Sequence, residues 1–198
     1  RQGLEQECDR INAAKGKRPG ISLIAKVAGD GPEGMERQIK QMLELIALNP
    51  NLIIVQPTDC AALAEPLRQA NRVGIPVIAY DQYISGGKIV SYVTSDNYQA
   101  GYMDGEYLCA NIRTKQPLRL VMVEYPYVSS TVERVDGFLD AFRDGGRSYE
   151  IVKRYIAVEP RQGAEAGKEF LRDFPRAGTV DSVFPVNAGG GVAFFSSL

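Results

Sequence analysis

The sequence predicts an α/β protein in which short strands alternate with helices and form two similar parallel sheets with flanking helices. Three observations indicate this class: short apolar runs, segments with a helical apolar period between them, and glycine, proline or asparagine at many boundaries. The alternation repeats on both sides of residues 94–96, so we expect one lobe over residues 1–95 and a second over residues 96–198. No Ser/Gly-rich linker separates them, and the crossing should therefore be a structured hinge.

Residues 1–95 are predicted to contain three helices and four strands. Apolar residues spaced three and four apart predict the helices, over residues 2–15, 33–48 and 59–73. Pro66 makes the third helix start late or kink, and Gly74 ends it. Short apolar runs predict the strands, over residues 21–27, 52–56, 75–80 and 89–94. Because strand, helix and strand follow one another, the strands should be parallel with right-handed crossovers.

Residues 97–198 continue the alternation. Strands are expected over residues 118–124, 151–158 and 181–187, and helices over residues 97–112, 134–143 and 163–174. The helix over residues 97–112 should bury some of four large side chains, Tyr98, Met103, Tyr107 and Leu108. The last eleven residues are poorly patterned and are interpreted as a glycine loop followed by the start of a helix.

Composition excludes several functions. Lys and Arg number 23 against 24 Asp and Glu, and no basic cluster is present, so we expect no contact with nucleic acid. The chain has no histidine, which excludes a Ser-His-Asp or Cys-His site and any His-based metal centre within it. The three cysteines, Cys8, Cys60 and Cys109, lack CxxC spacing and are expected to be free thiols. We expect neither a metal nor a cofactor.

Polar residues follow the predicted strands at the points where open parallel sheets bind ligands. Loops and helix N-termini converge at the carboxyl ends of such strands. Four residues occupy this position: Asp59, Asp81, Glu124 and Asn187. Each of them is equally suited to cap the helix that follows, and this alternative stays open.

Arg134 is a further candidate, because it opens a predicted helix after a strand-end loop. That loop is rich in hydroxyl groups, from Tyr127, Ser129, Ser130 and Thr131. The planar, permanently charged guanidinium suits vicinal hydroxyls or a carboxylate. The alternative is an exposed arginine that pairs with Glu133 or Asp136.

Residues Gly29–Gly34 spell GxGxxG between a predicted strand and a predicted helix, the order of a dinucleotide-binding loop. Against this interpretation, Pro32 removes an N–H donor where a phosphate needs one. The residue at the end of the next strand is Gln56, where a ribose-binding acid is expected. A plain glycine-rich turn is the favoured interpretation, and the glycines at residues 189–191 are interpreted in the same way.

Several motifs in family order resemble periplasmic sugar-binding proteins of the ribose-binding type. These are the PTD at residues 57–59, the IPVI strand that ends in Asp81, the SDN at residues 95–97, the ERVDGF segment from Glu133, and VFPVN, which ends in Asn187. Such proteins share their fold, the type I periplasmic binding protein fold, with the effector domains of lactose-repressor-type regulators. The resemblance covers most of the chain and implies a hinged cleft between two lobes that closes on a small polyhydroxylated ligand.

The resemblance assigns roles to individual residues. It implies that Asp81 accepts hydrogen bonds from sugar hydroxyls, that Arg134 donates to the ligand, and that Asn187 bridges hydroxyls from the second lobe. Gln82 stands where ribose-type members often carry arginine and is a fourth expected ligand residue. Secondary candidates are Tyr83, Tyr127, Ser130 and Arg161, the last near the place where an aromatic commonly stacks on the sugar.

The chain also departs from the pattern that it resembles. Ala188 follows Asn187, where an acid usually stands. The first strand of the fold, with the ligand loop after it, and the late strands with the returning hinge segments have no counterpart in the sequence. We therefore expect an incomplete version of the fold, truncated at both ends.

Three functions are consistent with these patterns. The first is binding of a sugar or polyol, without catalysis, as the extracytoplasmic component of an ABC-type transporter or a membrane sensor. The second is an effector-binding domain of a transcription regulator, and the third is a nucleotide-dependent enzyme that uses the Gly29–Gly34 loop. The first residues lack a signal-peptide core, but a mature exported protein would also lack one. Extracytoplasmic location is therefore implied by the resemblance alone.

Overall fold

The computed structural model describes residues 2–14, 20–29, 31–113 and 116–198. In chain order these residues form α1 (Gln2–Ala14), α2 (Gly31–Ala47), β1 (Ile53–Val55), α3 (Ala64–Arg72), β2 (Val77–Tyr80), β3 (Ser91–Val93), α4 (Asn97–Asn111), β4 (Leu118–Glu124), α5 (Ser129–Asp144), β5 (Tyr149–Ile156), α6 (Pro160–Asp173), β6 (Ser182–Pro185) and α7 (Ala188–Ser196). No helix within these ranges is long and apolar enough to cross a membrane.

The strands form two parallel sheets, which confirms the predicted α/β class. The first sheet has the order β1-β2-β3, and the second has the order β5-β4-β6. Ile54 lies opposite Ile78 in the first sheet, and Met122 lies opposite both Arg154 and Phe184 in the second. Since every pairing is parallel, the polar residues that follow the strands collect at one edge of each sheet.

Each sheet has its own apolar core. The first sheet packs against α2 and α3 through fully or almost fully buried side chains, Met42, Ile53, Leu63, Leu67, Val77 and Ile84 among them. In the second sheet, successive residues of β4 point to opposite faces. One face packs Leu118, Leu120 and Met122 against the rings of Phe138, Phe142 and Phe184, and the other packs Val121 and Val123 against Tyr155 and Phe194. The central strand β4 is therefore covered on both faces, as its apolar run predicts.

The predicted strand over residues 21–27 is wrong. These residues are extended but pair with no described strand, and their apolar side chains stay exposed, Val27 by 65%. The backbone of this segment is bound by side chains instead of a strand. The Asn12 side chain bonds both the N–H and the carbonyl of Ile21, and the Gln41 amide donates to the Val27 carbonyl. The residue pattern identified a segment suited to a sheet, but a strand also needs a neighbour for its backbone groups.

In residues 96–198 one expectation holds in part and another fails. The helix α4 partly buries Leu108 against the core of the second sheet, but it leaves Met103 and Tyr107 exposed by 59% and 66%. The fully buried residues of α4 are Asn97, Gly101 and Gly105. The segment after Asn187 is not a glycine loop, because α7 begins at Ala188 and runs through the three glycines.

Glycines let α4 and α5 pack in direct backbone contact. A Cβ atom added at Gly101 would overlap the carbonyl oxygen of Arg134, and one added at Gly137 would overlap the carbonyl oxygen of Tyr98. At Gly105 an added Cβ would lie 2.5 Å from the carbonyl oxygen of Phe138. No larger residue fits these positions without separation of the two helices.

Replacement of Gly137 should therefore be costly. We expect Gly137→Ala to lower the free energy of unfolding by roughly 3 kcal/mol, since the added methyl group meets backbone that cannot rotate away. Gly3→Ala is the matched control, because an added Cβ there meets no heavy atom within 4 Å, and it should leave stability unchanged or raise it by up to about 1 kcal/mol. Urea unfolding followed by circular dichroism measures both. Equal stability of the two variants would contradict the close helix contact.

An ion pair links the start of β4 to the segment before β6. The guanidinium of Arg119 donates to both carboxylate oxygens of Asp181, at 3.0 Å each, and the Arg119 backbone N–H donates to the same side chain at 2.8 Å. These hydrogen bonds lower the pKa of the Asp181 carboxyl below its ordinary value of 3.8. A pKa lowered by folding stabilises the folded state above the ordinary pKa, and this stabilisation disappears as the pH falls through the lowered value.

Asp181→Asn should consequently destabilise the protein at neutral pH, and the difference from the parent should shrink below about pH 4. The measurement is the free energy of unfolding at pH values from 7 to 2.5. Arg119→Gln should remove the same pH-dependent contribution, so the double variant should add little to either single change. A difference that stays constant down to pH 2.5 would contradict the proposed linkage.

Candidate functional site

The carboxyl ends of all three strands of the first sheet meet at Asp81. The Gln56 amide, after β1, donates to the Asp81 carboxylate at 2.6 Å. Tyr92 of β3 and Thr94, just after it, donate their hydroxyl groups to the Asp81 carbonyl at 3.2 and 3.1 Å. Asp81 has a φ of 64°, a left-handed conformation that is uncommon outside glycine and asparagine. The backbone is thus turned out of the strand, and the Gln56 bond occupies one of the two carboxylate oxygens.

Arg134 is held in place by two hydrogen bonds within the second sheet region. Its Nε–H donates to the side-chain oxygen of Asn97 at 3.0 Å, and its Nη1 donates to the Val186 carbonyl at 3.0 Å. Neither Glu133 nor Asp136 takes part in these bonds. The guanidinium carries five N–H donors, so these two bonds leave donors available for other partners.

Asn97 connects Arg134 to the segment that joins the two sheets. It is only 2% exposed, and its amide nitrogen donates to the Thr94 hydroxyl and the Ser95 carbonyl, at 3.2 and 3.1 Å. Arg134 is therefore fixed against the crossing segment itself. In the sequence Asn97 is noted only as part of the SDN motif, and the contact with Arg134 is not predicted. The available signal was that Asn97 stands one turn before Gly101, on the helix face that packs closely against α5.

Arg134 and Asn187 line the same groove, which has a volume of about 640 Å³. The groove lies between α4, the end of β6 and α7, and its lining includes Ala100, Asp104, Val186 and Phe195. Burial raises the pKa of the Asp104 carboxyl, and the positive charge of Arg134 opposes this effect. The local sequence pattern does not identify Asp104 as a groove residue, because its neighbour Arg134 comes from another helix.

The other three strand-end residues also bind protein groups. The Asn187 side chain caps α7, since its oxygen accepts from the Gly190 N–H and its amide donates to the Val158 carbonyl. The Asp59 carboxylate accepts from the N–H groups of Ala61 and Ala62. Glu124 is 8% exposed and pairs with Arg154 at 2.6 Å. The helix-capping alternative thus describes the side chain of Asn187, whereas Asp59 binds the turn that precedes α3, whose N-cap is Leu63.

Gln82, just after β2 of the first sheet, is in direct contact with Ser130 in the first turn of α5, which packs on the second sheet. Gln82 is 8% exposed, and its amide nitrogen donates to the Ser130 hydroxyl at 2.6 Å. The segment that follows β2 is therefore bonded to the start of α5.

Two exposed tyrosines stand near these strand ends, each supported by a second ring. Tyr83 is 42% exposed and lies edge-on to Tyr92, with ring centroids 5.6 Å apart. Tyr127 is 55% exposed and lies edge-on to Tyr125, with centroids 5.0 Å apart. Exposed aromatic faces suit stacking on the apolar face of a ring.

Arg161 lies elsewhere. It is the second residue of α6, its side chain is highly exposed, and it pairs with Glu165 at 3.2 Å. It is absent from the lining of the groove that holds Arg134 and Asn187.

The glycine loop before α2 is shaped for backbone contact. Gly29 has a φ of 82°, and a Cβ atom added at Gly34 would overlap the Gly29 carbonyl. Both glycines are therefore required by the loop itself. Asp30, between them, lies outside the described residues.

The described residues contain no cluster of three or more His, Cys, Asp or Glu that could hold a metal ion. Cys8, Cys60 and Cys109 are half-buried free thiols.

A family model described as a periplasmic binding protein domain matches residues 1–198. The chain belongs to the periplasmic binding protein family, and the resemblance to its ribose-type members is confirmed. The chain is 27% identical to the ribose import binding protein of Bacillus subtilis over 139 residues, which are 70% of this chain and 41% of that protein.

Solved structures show the same fold. The Caulobacter myo-inositol binding protein bound to myo-inositol is 25% identical, with a TM-score of 0.73 over 82% of this chain and 55% of that one. The fructose binding periplasmic domain of a hybrid two component system is 22% identical, with a TM-score of 0.80 over 99% of this chain and 62% of that one. The chain spans less than half the length of the curated ribose import binding proteins that it matches.

The contact between Asn97 and Arg134 predicts a specific loss. Asn97→Ala should lower the free energy of unfolding by about 1 to 3 kcal/mol, since buried partners lose their hydrogen bonds. The Arg134 Nε–H signal in NMR spectra should also exchange faster with water. Asn111→Ala, at the exposed end of the same helix, is the control and should change stability by less than about 0.5 kcal/mol. An unchanged Nε–H signal in Asn97→Ala would show that another group holds Arg134.

Proposed function

We propose that this chain binds a small polyhydroxylated solute, a sugar or polyol, in a cleft between two lobes formed by residues 1–95 and 96–198. The observation that carries the proposal is the guanidinium of Arg134, fixed by Asn97 and the Val186 carbonyl on the wall of an open groove that is lined by residues of the second lobe. A rigid fork with spare donors recognises adjacent hydroxyl groups without loss of side-chain freedom on binding.

Other groups at the strand ends complement Arg134. The free oxygen of the Asp81 carboxylate is a hydrogen-bond acceptor, and Asn187 lies on the same groove as Arg134. The exposed rings of Tyr83 and Tyr127 offer stacking surfaces. A neutral hydroxyl-rich ligand needs such a mixture of donors, acceptors and apolar faces, because its own polar groups must be satisfied once water is excluded. Gln82 and Ser130 are bonded to each other, and we propose that this pair borders the ligand.

We further propose an extracytoplasmic role in delivery of the solute, without catalysis. The relatives support it, since one is named for ribose import and another structure is a fructose binding periplasmic domain of a hybrid two component system. The partner would accordingly be a membrane permease or a membrane sensor. The family consists of solute-binding proteins, which supports binding over an enzymatic role.

The proposal is tested by calorimetry against D-ribose, D-fructose, D-allose, D-glucose and myo-inositol. For any solute that binds, Asp81→Ala and Arg134→Lys should each raise the dissociation constant by roughly 10- to 100-fold, as expected for loss of a buried hydrogen-bonding partner. Lysine keeps the charge of Arg134 but cannot reproduce the planar fork.

Matched controls are available on the same helix as Arg134. Asp136→Ala and Arg143→Ala remove a carboxylate and a guanidinium from exposed positions of α5, and neither should change affinity. Full affinity in both Asp81→Ala and Arg134→Lys would refute the assigned site. No heat with any solute on the panel would refute sugar binding by this chain.

A further inference from the structure

Helix α5 begins without a cap of its own. Its N-cap residue is Val128, whose side chain has no acceptor, and the first turn contains no acidic residue. The first N–H groups of a helix have no partner within it, and they carry the positive end of the helix dipole. Because Ser130 is 5% exposed, water has little access to its N–H group. An acceptor from outside the helix is therefore needed.

Gln82 supplies this acceptor from the other sheet. Its side-chain oxygen accepts from the Ser130 N–H at 3.1 Å and from the Ser129 hydroxyl at 3.2 Å, while its amide nitrogen donates to the Ser130 hydroxyl. The backbone N–H of Tyr83 adds a bond to the Ser129 hydroxyl at 3.1 Å. One amide thus closes a cyclic set of bonds around the start of α5, in a buried position.

We propose that Gln82 is a helix cap that acts across the two lobes and holds the cleft closed in the absence of ligand. The proposal rests on the two-lobe arrangement proposed above. Opening of the cleft would separate Gln82 from α5 and leave the Ser130 N–H without its partner. The free energy of this cap is therefore part of the free energy of closure, and residue 82 sets how much of the unliganded protein is closed.

The sign of the charge at position 82 provides a sharp test. Glu has nearly the shape of Gln and brings a negative charge to the positive end of α5, so Gln82→Glu should keep or strengthen the closed state. Arg has no acceptor and brings a positive charge to that end, so Gln82→Arg should favour the open state. Gln82→Ala removes the cap without any charge. Gln6→Glu and Gln6→Arg make the same charge changes on the exposed face of α1 as controls.

The experiment measures hydrogen exchange of the Ser130 amide by NMR on the complete, ligand-free chain, together with its radius of gyration by X-ray scattering. We expect exchange at Ser130 about 5-fold faster in Gln82→Ala and roughly 10-fold faster or more in Gln82→Arg, with an increased radius of gyration in both. Gln82→Glu should exchange no faster than the parent. The Val121 amide, in the buried strand β4, reports global unfolding and should be unchanged in every variant.

Two outcomes would overturn the proposal. Equal exchange at Ser130 in the parent, Gln82→Ala and Gln82→Arg would show that Gln82 does not cap α5. Faster exchange at an unchanged radius of gyration would show a cap that has no effect on closure. Because no sugar is present in these measurements, a failure of the sugar panel leaves their interpretation intact, and the two proposals fail separately.

Discussion

The direct backbone contact between α4 and α5 is the constraint on which the candidate site depends. Gly101 sits against the carbonyl of Arg134, and only a residue without a side chain allows this approach. The same approach brings Asn97, one turn earlier on α4, within hydrogen-bond distance of the Arg134 guanidinium. Since Asn97 also binds the segment that joins the two sheets, the position of the Arg134 guanidinium is coupled to the crossing between them. The helix packing therefore also fixes the geometry of the candidate site.

The polar groups at the strand ends divide into those that complete the fold and those that keep unused hydrogen-bonding capacity. Asn187 satisfies the N-terminus of α7, Asp59 binds the turn before α3, and the buried Glu124 is paired with Arg154. Asp81 and Arg134 are held by only part of their hydrogen-bonding capacity. Partial satisfaction by the protein fixes a side chain in one direction and still leaves acceptors or donors free, which is the preorganisation that a binding site requires.

The sequence predicts local structure well and long-range partners poorly. The run Leu118–Glu124 and the period of Phe138 and Phe142 are strong signals, since a doubly covered strand and a buried helix face each leave a pattern within a few residues. The strand predicted at residues 21–27 fails, because pairing depends on a neighbour that no local pattern reveals. Likewise Asp81 and Arg134 follow from strand ends and motif order, whereas Asp104 and Gln56 become visible only when distant segments are brought together.

At position 82, the residue differs from the arginine that is common in the resembled pattern, and its hydrogen-bonding role differs too. The resembled ribose-type pattern often has arginine at this position, and an arginine has donors alone. An arginine there could not accept the Ser130 N–H, and its charge would oppose the positive end of α5. Glutamine has both a donor and an acceptor, and the amide binds Ser129 and Ser130 in the described structure. Under the proposed function, recognition of the solute would depend more heavily on Asp81 and Arg134, while the Gln82 amide would contribute to the proposed closed arrangement.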